Sequence, residues 1–87
     1  MKRAKNPRLR SRRETIGYVV YIPHHGAFWL NDLAMQILEM IDSGLAEDQV
    51  SSNILKQYAC PTATAVCEDV RRIISTLEKI QALQPVP

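Results

Sequence analysis

The residues of this chain best equipped for chemistry are two adjacent histidines, His24 and His25, and two cysteines seven positions apart, Cys60 and Cys67. Metal ligation needs three or four such groups converging on one point. The histidines lie in "YIPHHGAF", where Pro23 and Gly26 mark a turn between two apolar stretches. Adjacent side chains at a turn tip diverge, and no third ligand is close in sequence, so no metal is expected. Nucleophilic catalysis would need a thiolate at Cys67, but Glu68 and Asp69 follow it directly, and neighbouring negative charge raises a thiol pKa. Cys67 also falls on a helical pattern, where it reads as a small buried apolar residue. There is no Gly-rich phosphate loop and no Gly-x-Ser-x-Gly elbow. The sequence therefore predicts a binding protein rather than an enzyme, with no cofactor.

The elements that would build a binding surface are clearer. "GYVVYI" (residues 17–22) is β-branched and aromatic, the pattern of a strand. "PHHG" predicts a type I turn with Gly26 at positive φ. "AFWL" (27–30) is then the return strand, and it places the only Phe and the only Trp side by side. Side chains alternate across a strand, so one ring enters the core and the other faces outward. From Leu9 to Arg13 a weak alternation allows a short edge strand, giving a small antiparallel sheet of two or three strands.

Three helices follow. Asn31 is an N-cap with Asp32 at the positive dipole end, and Leu30 and Met35 occupy the places of a hydrophobic staple. Leu33, Ala34, Ile37, Leu38 and Ile41 form one apolar stripe, and Gly44 stops the helix. A second helix spans about Glu47 to Tyr58, with Val50, Ile54 and Tyr58 on one face. A third spans about Ala63 to Ala82, with a core stripe of Ala63, Val66, Val70, Ile73, Leu77 and Ile80. Cys67, Ile74 and Gln81 flank that stripe, with Arg71 and Glu78 beside them. The fold class is α+β, resembling a winged helix-turn-helix unit with its sheet placed first.

With 87 residues the chain predicts a single small domain. No apolar run spans a membrane and the basic start has no apolar segment behind it, so the expected location is cytoplasmic, with both thiols reduced. Residues 1–13 hold seven of the eleven basic groups and no acid; the rest holds four against all nine acids, a net of −5. Residues 1–8 are therefore expected to be a flexible basic arm, residues 9–84 the folded domain, and 85–87 a tail. Two kinds of binding stay open. A DNA reader needs cations along a recognition helix, but the second helix offers only Lys56, and the third sets Arg71, Arg72 and Lys79 against Glu68, Asp69 and Glu78. A small winged-helix DNA-binding regulator is thus the alternative. The main reading is strand addition, in which an extended peptide pairs with the edge of "AFWL".

The strings "FWLNDLAMQILEMIDSG", "VSSNILKQYA" and "VCEDVRRIISTLEKIQAL" resemble the PqqD-like family, over about residues 9–83. The matching positions are Leu30-Asn31, Ala34, Ile37-Leu38, Asp42 with Gly44, Val50, Leu55, Tyr58, Asp69-Val70 and Leu77. The chain departs from the family pattern at Leu45-Ala46, where Thr or Ser is common, and near Gln81, where Gly is common. The resemblance implies a peptide chaperone that binds the leader of a ribosomally synthesised precursor and presents it to a modifying enzyme. That enzyme is often a radical-SAM protein of pyrroloquinoline quinone synthesis, and a lasso-peptide or other modified-peptide system fits equally. The resemblance further implies that the leader adds to the last strand of the sheet, in a groove shared with the third helix. Carried over, the peptide-binding residues are Ala27, Phe28, Trp29 and Leu30 with Cys67, Arg71, Ile74 and Glu78. The expected state is a monomer or weak homodimer.

Overall fold

In the strand Tyr18–Ile22 every second residue is buried without remainder: Val20 and Ile22 are wholly inaccessible, while Tyr21 between them is exposed. The computed structural model describes residues 2–57 and 62–86, and this strand is the centre of its larger sheet. In chain order the strands are β1 (Lys2–Lys5), β2 (Arg10–Arg13), β3 (Tyr18–Ile22), β4 (Gly26–Leu30) and β5 (Leu83–Val86). The helices α1 (Asp32–Asp42), α2 (Glu47–Gln57) and α3 (Ala63–Lys79) lie between β4 and β5. The fold is α+β, with a three-stranded antiparallel sheet ordered β2-β3-β4 and a two-stranded antiparallel sheet of β1 and β5.

The β3–β4 hairpin closes through a turn in which the His25 amide donates to the Ile22 carbonyl over 3.0 Å. His24, the third residue of that turn, has φ +69°, which makes it type II rather than the expected type I. Gly26 follows at φ +109°, as the sequence predicts.

The helix boundaries show how local chemistry sets the ends. Asn31 Oδ1 accepts the Ala34 amide at 2.7 Å, and Leu30 and Met35 are both buried as a staple requires. Gly44 (φ +102°) and Leu45 return their amides to Ile41 and Met40, a Schellman stop. Without a Ser or Thr to cap α2, Gln49 Oε1 reaches back to the Ala46 amide at 2.8 Å, one half of a capping box. Tyr58 and Cys60 lie outside the described residues. Thr62 Oγ1 caps α3 through the Ala65 amide at 3.1 Å.

α3 ends at Lys79, three residues short of the expected Ala82. Gln81 takes the left-handed conformation at φ +68°, and the amides of Gln81 and Ala82 return to the carbonyls of Glu78 and Leu77. This is a second Schellman stop, built at the position where glycine is common and here on glutamine. The core stripe of α3 is Val66, Val70, Ile74 and Leu77. Ile74, expected on the flank, is 1% exposed, whereas Ile73 and Ile80 are only half-buried and Ala63 is exposed. A 3.5-residue stripe drifts around a helix whose period is 3.6, and steps of four from Val66 follow the buried face more closely. Cys67, expected buried, is exposed.

The largest departure is at the termini. Residues 2–5 are a strand rather than a flexible arm, and Pro85 and Val86 are its partners rather than a tail. Acids that the charge count assigned to the body receive the arm's cations. Arg3 Nε meets Glu78 Oε2 at 3.0 Å, Lys5 Nζ meets Glu39 Oε1 at 3.1 Å, and the Lys5 amide donates to Asp42 Oδ1 at 2.9 Å. Half-exposed pairs contribute at most about 1 kcal/mol each, so they steer the strand more than they hold it. Asn6, 7% exposed, does the holding. Its amide donates to the Ala82 carbonyl and its Nδ2 to the Gln81 carbonyl, both at 2.9 Å, and its Oδ1 accepts the Arg8 amide at 3.0 Å.

Two measurements check this architecture. Asn6→Ala should destabilise the protein by about 1–3 kcal/mol and selectively lose hydrogen-exchange protection in β1. Ile74→Ala should cost about 2–5 kcal/mol in a urea unfolding curve, against no more than about 0.5 kcal/mol for Cys67→Ala at an exposed position.

Candidate functional site

The two sheets have four edge strands, and the sequence treats one of them differently. An edge exposes a row of unpaired N–H and C=O groups, which proteins blunt with lysine, arginine or proline. β1 reads Lys-Arg-Ala-Lys, β2 reads Arg-Ser-Arg-Arg, and β5 carries Pro85. β4, Gly-Ala-Phe-Trp-Leu, has none of these, and among the described residues it pairs with β3 alone.

The direction of its backbone groups follows from two contacts. The Ile22 carbonyl accepts the His25 amide, so it points to the β4 side. The Leu30 carbonyl points back toward the start of β3, 2.6 Å from where a Cβ on Gly17 would stand. In an antiparallel ladder, pairs that exchange hydrogen bonds alternate with pairs that do not. Ile22–Gly26, Val20–Phe28 and Tyr18–Leu30 are therefore the bonded pairs in this register. Ala27 and Trp29 then turn their N–H and C=O away from β3, toward the open edge.

The same alternation separates the two rings. Phe28 packs against the core beside buried Leu30, while Trp29 stands on the outer face, 55% exposed. Its indole is held there by a 2.9 Å hydrogen bond from Nε1 to the Ile16 carbonyl. It also lies close against Gly17, where an added Cβ would come within 2.6–2.7 Å of the ring and of the Leu30 carbonyl. Gly17 is required twice over, because its φ is +77° as well.

On α3 the expected residues separate. Ile74 is core. Arg71 Nε is 3.9 Å from Glu47 Oε2 at the start of α2, and Glu78 is paired with Arg3 of β1, so this flank already has partners within the fold. Cys67 is exposed beside them. The opposite border of the stripe carries Ile73 and Ile80, half-buried and packed on the core as Phe28 is. The sequence reads both as core, and both pack against it without being fully buried. Arg13 is also engaged: its Nη1 donates to the Tyr18 hydroxyl at 2.8 Å and approaches Asp32 at 3.3 Å, and its guanidinium lies 4.8 Å from the Tyr18 ring centroid. The Tyr18 hydrogen bond first, and Asp32 second, raise its pKa. Among the described residues no three His, Cys, Asp or Glu side chains gather as metal ligands, and no helix is long and apolar enough to cross a membrane.

The model of one family, coenzyme PQQ synthesis protein D (PqqD), matches residues 17–83. The chain belongs to the PqqD family. No curated protein is similar enough in sequence to match. Three solved structures share the fold at low identity. A lasso peptide synthetase B1 complexed with its leader peptide has a TM-score of 0.82 at 19% identity, covering 98% of this chain and 100% of that one. TbiB1 in complex with the TbiA(beta) leader peptide has a TM-score of 0.79 at 18% identity, covering 100% and 99%. The PqqD truncation of Methylobacterium extorquens PqqCD, described as a functional, stand-alone recognition element for ribosomally synthesised and post-translationally modified peptides, has a TM-score of 0.76 at 18% identity, covering 95% and 88%. For this PqqD-family chain the region that the family model matches begins at Gly17, the glycine that seats Trp29. Gly17→Ala should cost roughly 2–4 kcal/mol, summing left-handed strain and overpacking, and should shift Trp29 emission as the indole leaves its seat.

Proposed function

We propose that this protein is a non-enzymatic peptide-recognition domain, which takes the leader of a ribosomally synthesised precursor as an added strand on β4 and presents it to a modifying enzyme in the cytoplasm. The observation that carries the reading is the open β4 edge, the one edge strand free of Lys, Arg and Pro, in a PqqD-family fold. A lasso peptide synthetase B1 and TbiB1, both of the same fold, hold leader peptides, and a PqqD of the same fold is a recognition element for ribosomally synthesised peptides, which supports it.

Magnitudes say what the leader must supply. Ala27 and Trp29 offer one N–H and one C=O each, and four hydrogen bonds at about 1 kcal/mol net give about 4 kcal/mol. Ordering a disordered segment costs about 2–5 kcal/mol. Backbone pairing alone therefore roughly breaks even, and affinity and choice of leader come from side chains. A strand beside β4 sets alternate side chains next to Trp29 on the outer face and next to Phe28 on the inner one. On the helix side Ile73 and Ile80 are better suited to an apolar leader residue than Cys67, Arg71 and Glu78, whose flank is turned to α2 and β1. A radical-SAM enzyme is one fitting partner; a modifying enzyme of a lasso-peptide system is another.

The test is an amide-shift NMR titration with a synthetic leader from a precursor gene beside that of this chain, and with duplex DNA in parallel. Shifts should concentrate in Ala27–Leu30 with leader alone. Ala27→Pro removes an outward N–H and leaves the β3 ladder intact, since proline is tolerated on an edge facing solvent. It should weaken leader binding about tenfold, the loss of one hydrogen bond. Shifts with DNA and none with leader would replace this reading with a nucleic-acid binder.

A further inference from the structure

The outer face of the three-stranded sheet has the wrong composition for a face that meets only water. In a sheet with one face on the core, the other face is normally polar. Residues opposite one another in register share a face, so Arg10, Tyr21 and Ala27 form one row across the sheet and Arg12, Val19 and Trp29 the next. Tyr21 is 52% exposed, Trp29 55%, and Ile16, which holds the indole, 75%. Trp, Tyr and Arg are the residues that dominate binding energy at protein interfaces. Trp29 is also fixed in place before any partner arrives, so little side-chain freedom is left to lose there.

Charge narrows the occupant. Arg12 is shared with Glu14 at 3.2 Å and Arg13 with Asp32, while Arg10 forms no ion pair among the described residues. One free guanidinium, in the row of Tyr21, is too little cation to neutralise a run of phosphates. A second copy docked face to face would bring two net-positive faces together, each with Arg10 and Arg12 against the single Glu14. An apolar protein surface rimmed by carboxylates meets both the rings and the arginines. We propose that this face is a second docking surface, for an acid-rimmed patch on the enzyme that modifies the bound peptide. The proposal rests on the peptide-recognition reading, and it assigns the two partners to different parts of β4: the leader to the edge, the enzyme to the outer face.

The experiment uses the whole chain, the purified modifying enzyme encoded beside it, the synthetic leader, and a dT oligonucleotide. Arg10→Glu and Tyr21→Ala change exposed side chains outside the peptide edge. Each should weaken enzyme binding about tenfold or more, as loss of an interface anchor does, and leave leader affinity within about twofold. Trp29, the only tryptophan, reports contact directly by its emission. Unchanged enzyme affinity in both variants, or no enzyme binding by the parent protein, overturns the proposal. So does an equal loss of leader binding, which would make the face part of the peptide site. Trp29 quenching by dT alone, or a sedimentation shift to a dimer abolished by Arg10→Glu, replaces the enzyme with a nucleic acid or a second copy. If the parent binds enzyme through this face but no leader, the peptide reading fails and the docking surface stands.

Discussion

The period of two along β4 is the constraint from which the rest of this molecule follows. It sends Phe28 and Leu30 into the core, Trp29 to the opposite face, and the backbone groups of Ala27 and Trp29 to the edge. A one-residue slip would bury Trp29, expose Phe28 and Leu30, and turn the open groups of the edge inward. Register is therefore held from several sides. The turn at Pro23–His24 sets the hairpin, the Trp29 ring seats where a side chain at Gly17 would stand, and Asn31 caps α1 directly after the strand ends.

Charge was the sequence's most misleading signal. Seven cations ahead of an acidic body suggest an arm seeking an external acid, and some of those acids are internal: Glu39, Asp42 and Glu78 draw β1 against α1 and α3. The strand itself, Lys-Arg-Ala-Lys, has no apolar alternation, because its long stems lie along the surface while its backbone bonds to β5. What the folded chain keeps unengaged is narrower than the count implied, and Arg10 on the outer face is its clearest remnant.

Local rules were legible and non-local ones were not. The Asn31 cap, the Leu30–Met35 staple, the Gly44 stop and the β3–β4 hairpin depend on residues a few positions apart, and each is found where the residue types put it. The β1–β5 pair joins residues some eighty positions apart, so no local pattern announces it. The end of α3 hides for another reason: Gln81 adopts a conformation that sequence reasoning assigns to glycine, so the helix reads three residues long. Ile74 was misplaced because a 3.5-residue stripe drifts against a 3.6-residue turn, and its place in the core empties the flank that Cys67, Arg71 and Glu78 share of its one apolar member. The open edge was readable because it is the absence of blunting residues in a short strand, and the neighbours of the α3 flank were not, because they depend on which border of a stripe faces which element.

An open edge is a hazard as well as a candidate site, because it can template pairing with any extended chain. Here the hazard is confined. The other edges carry Lys, Arg or Pro, and β4 exposes only two residues' worth of backbone groups. Such a short edge is near energetic balance by itself, so a strand that lacks matching side chains does not stay. In the proposed reading, selectivity then lies with the residues on either side of the edge, Trp29 above and the half-buried Phe28 below. Because Trp29 borders both the edge and the outer face, a strand seated on β4 extends the surface that the outer face presents, and a partner docked there would meet the loaded form with more contact than the empty one. Differential contact of that kind is all that coupling between two partners requires, and a single rigid strand can supply it with no moving part.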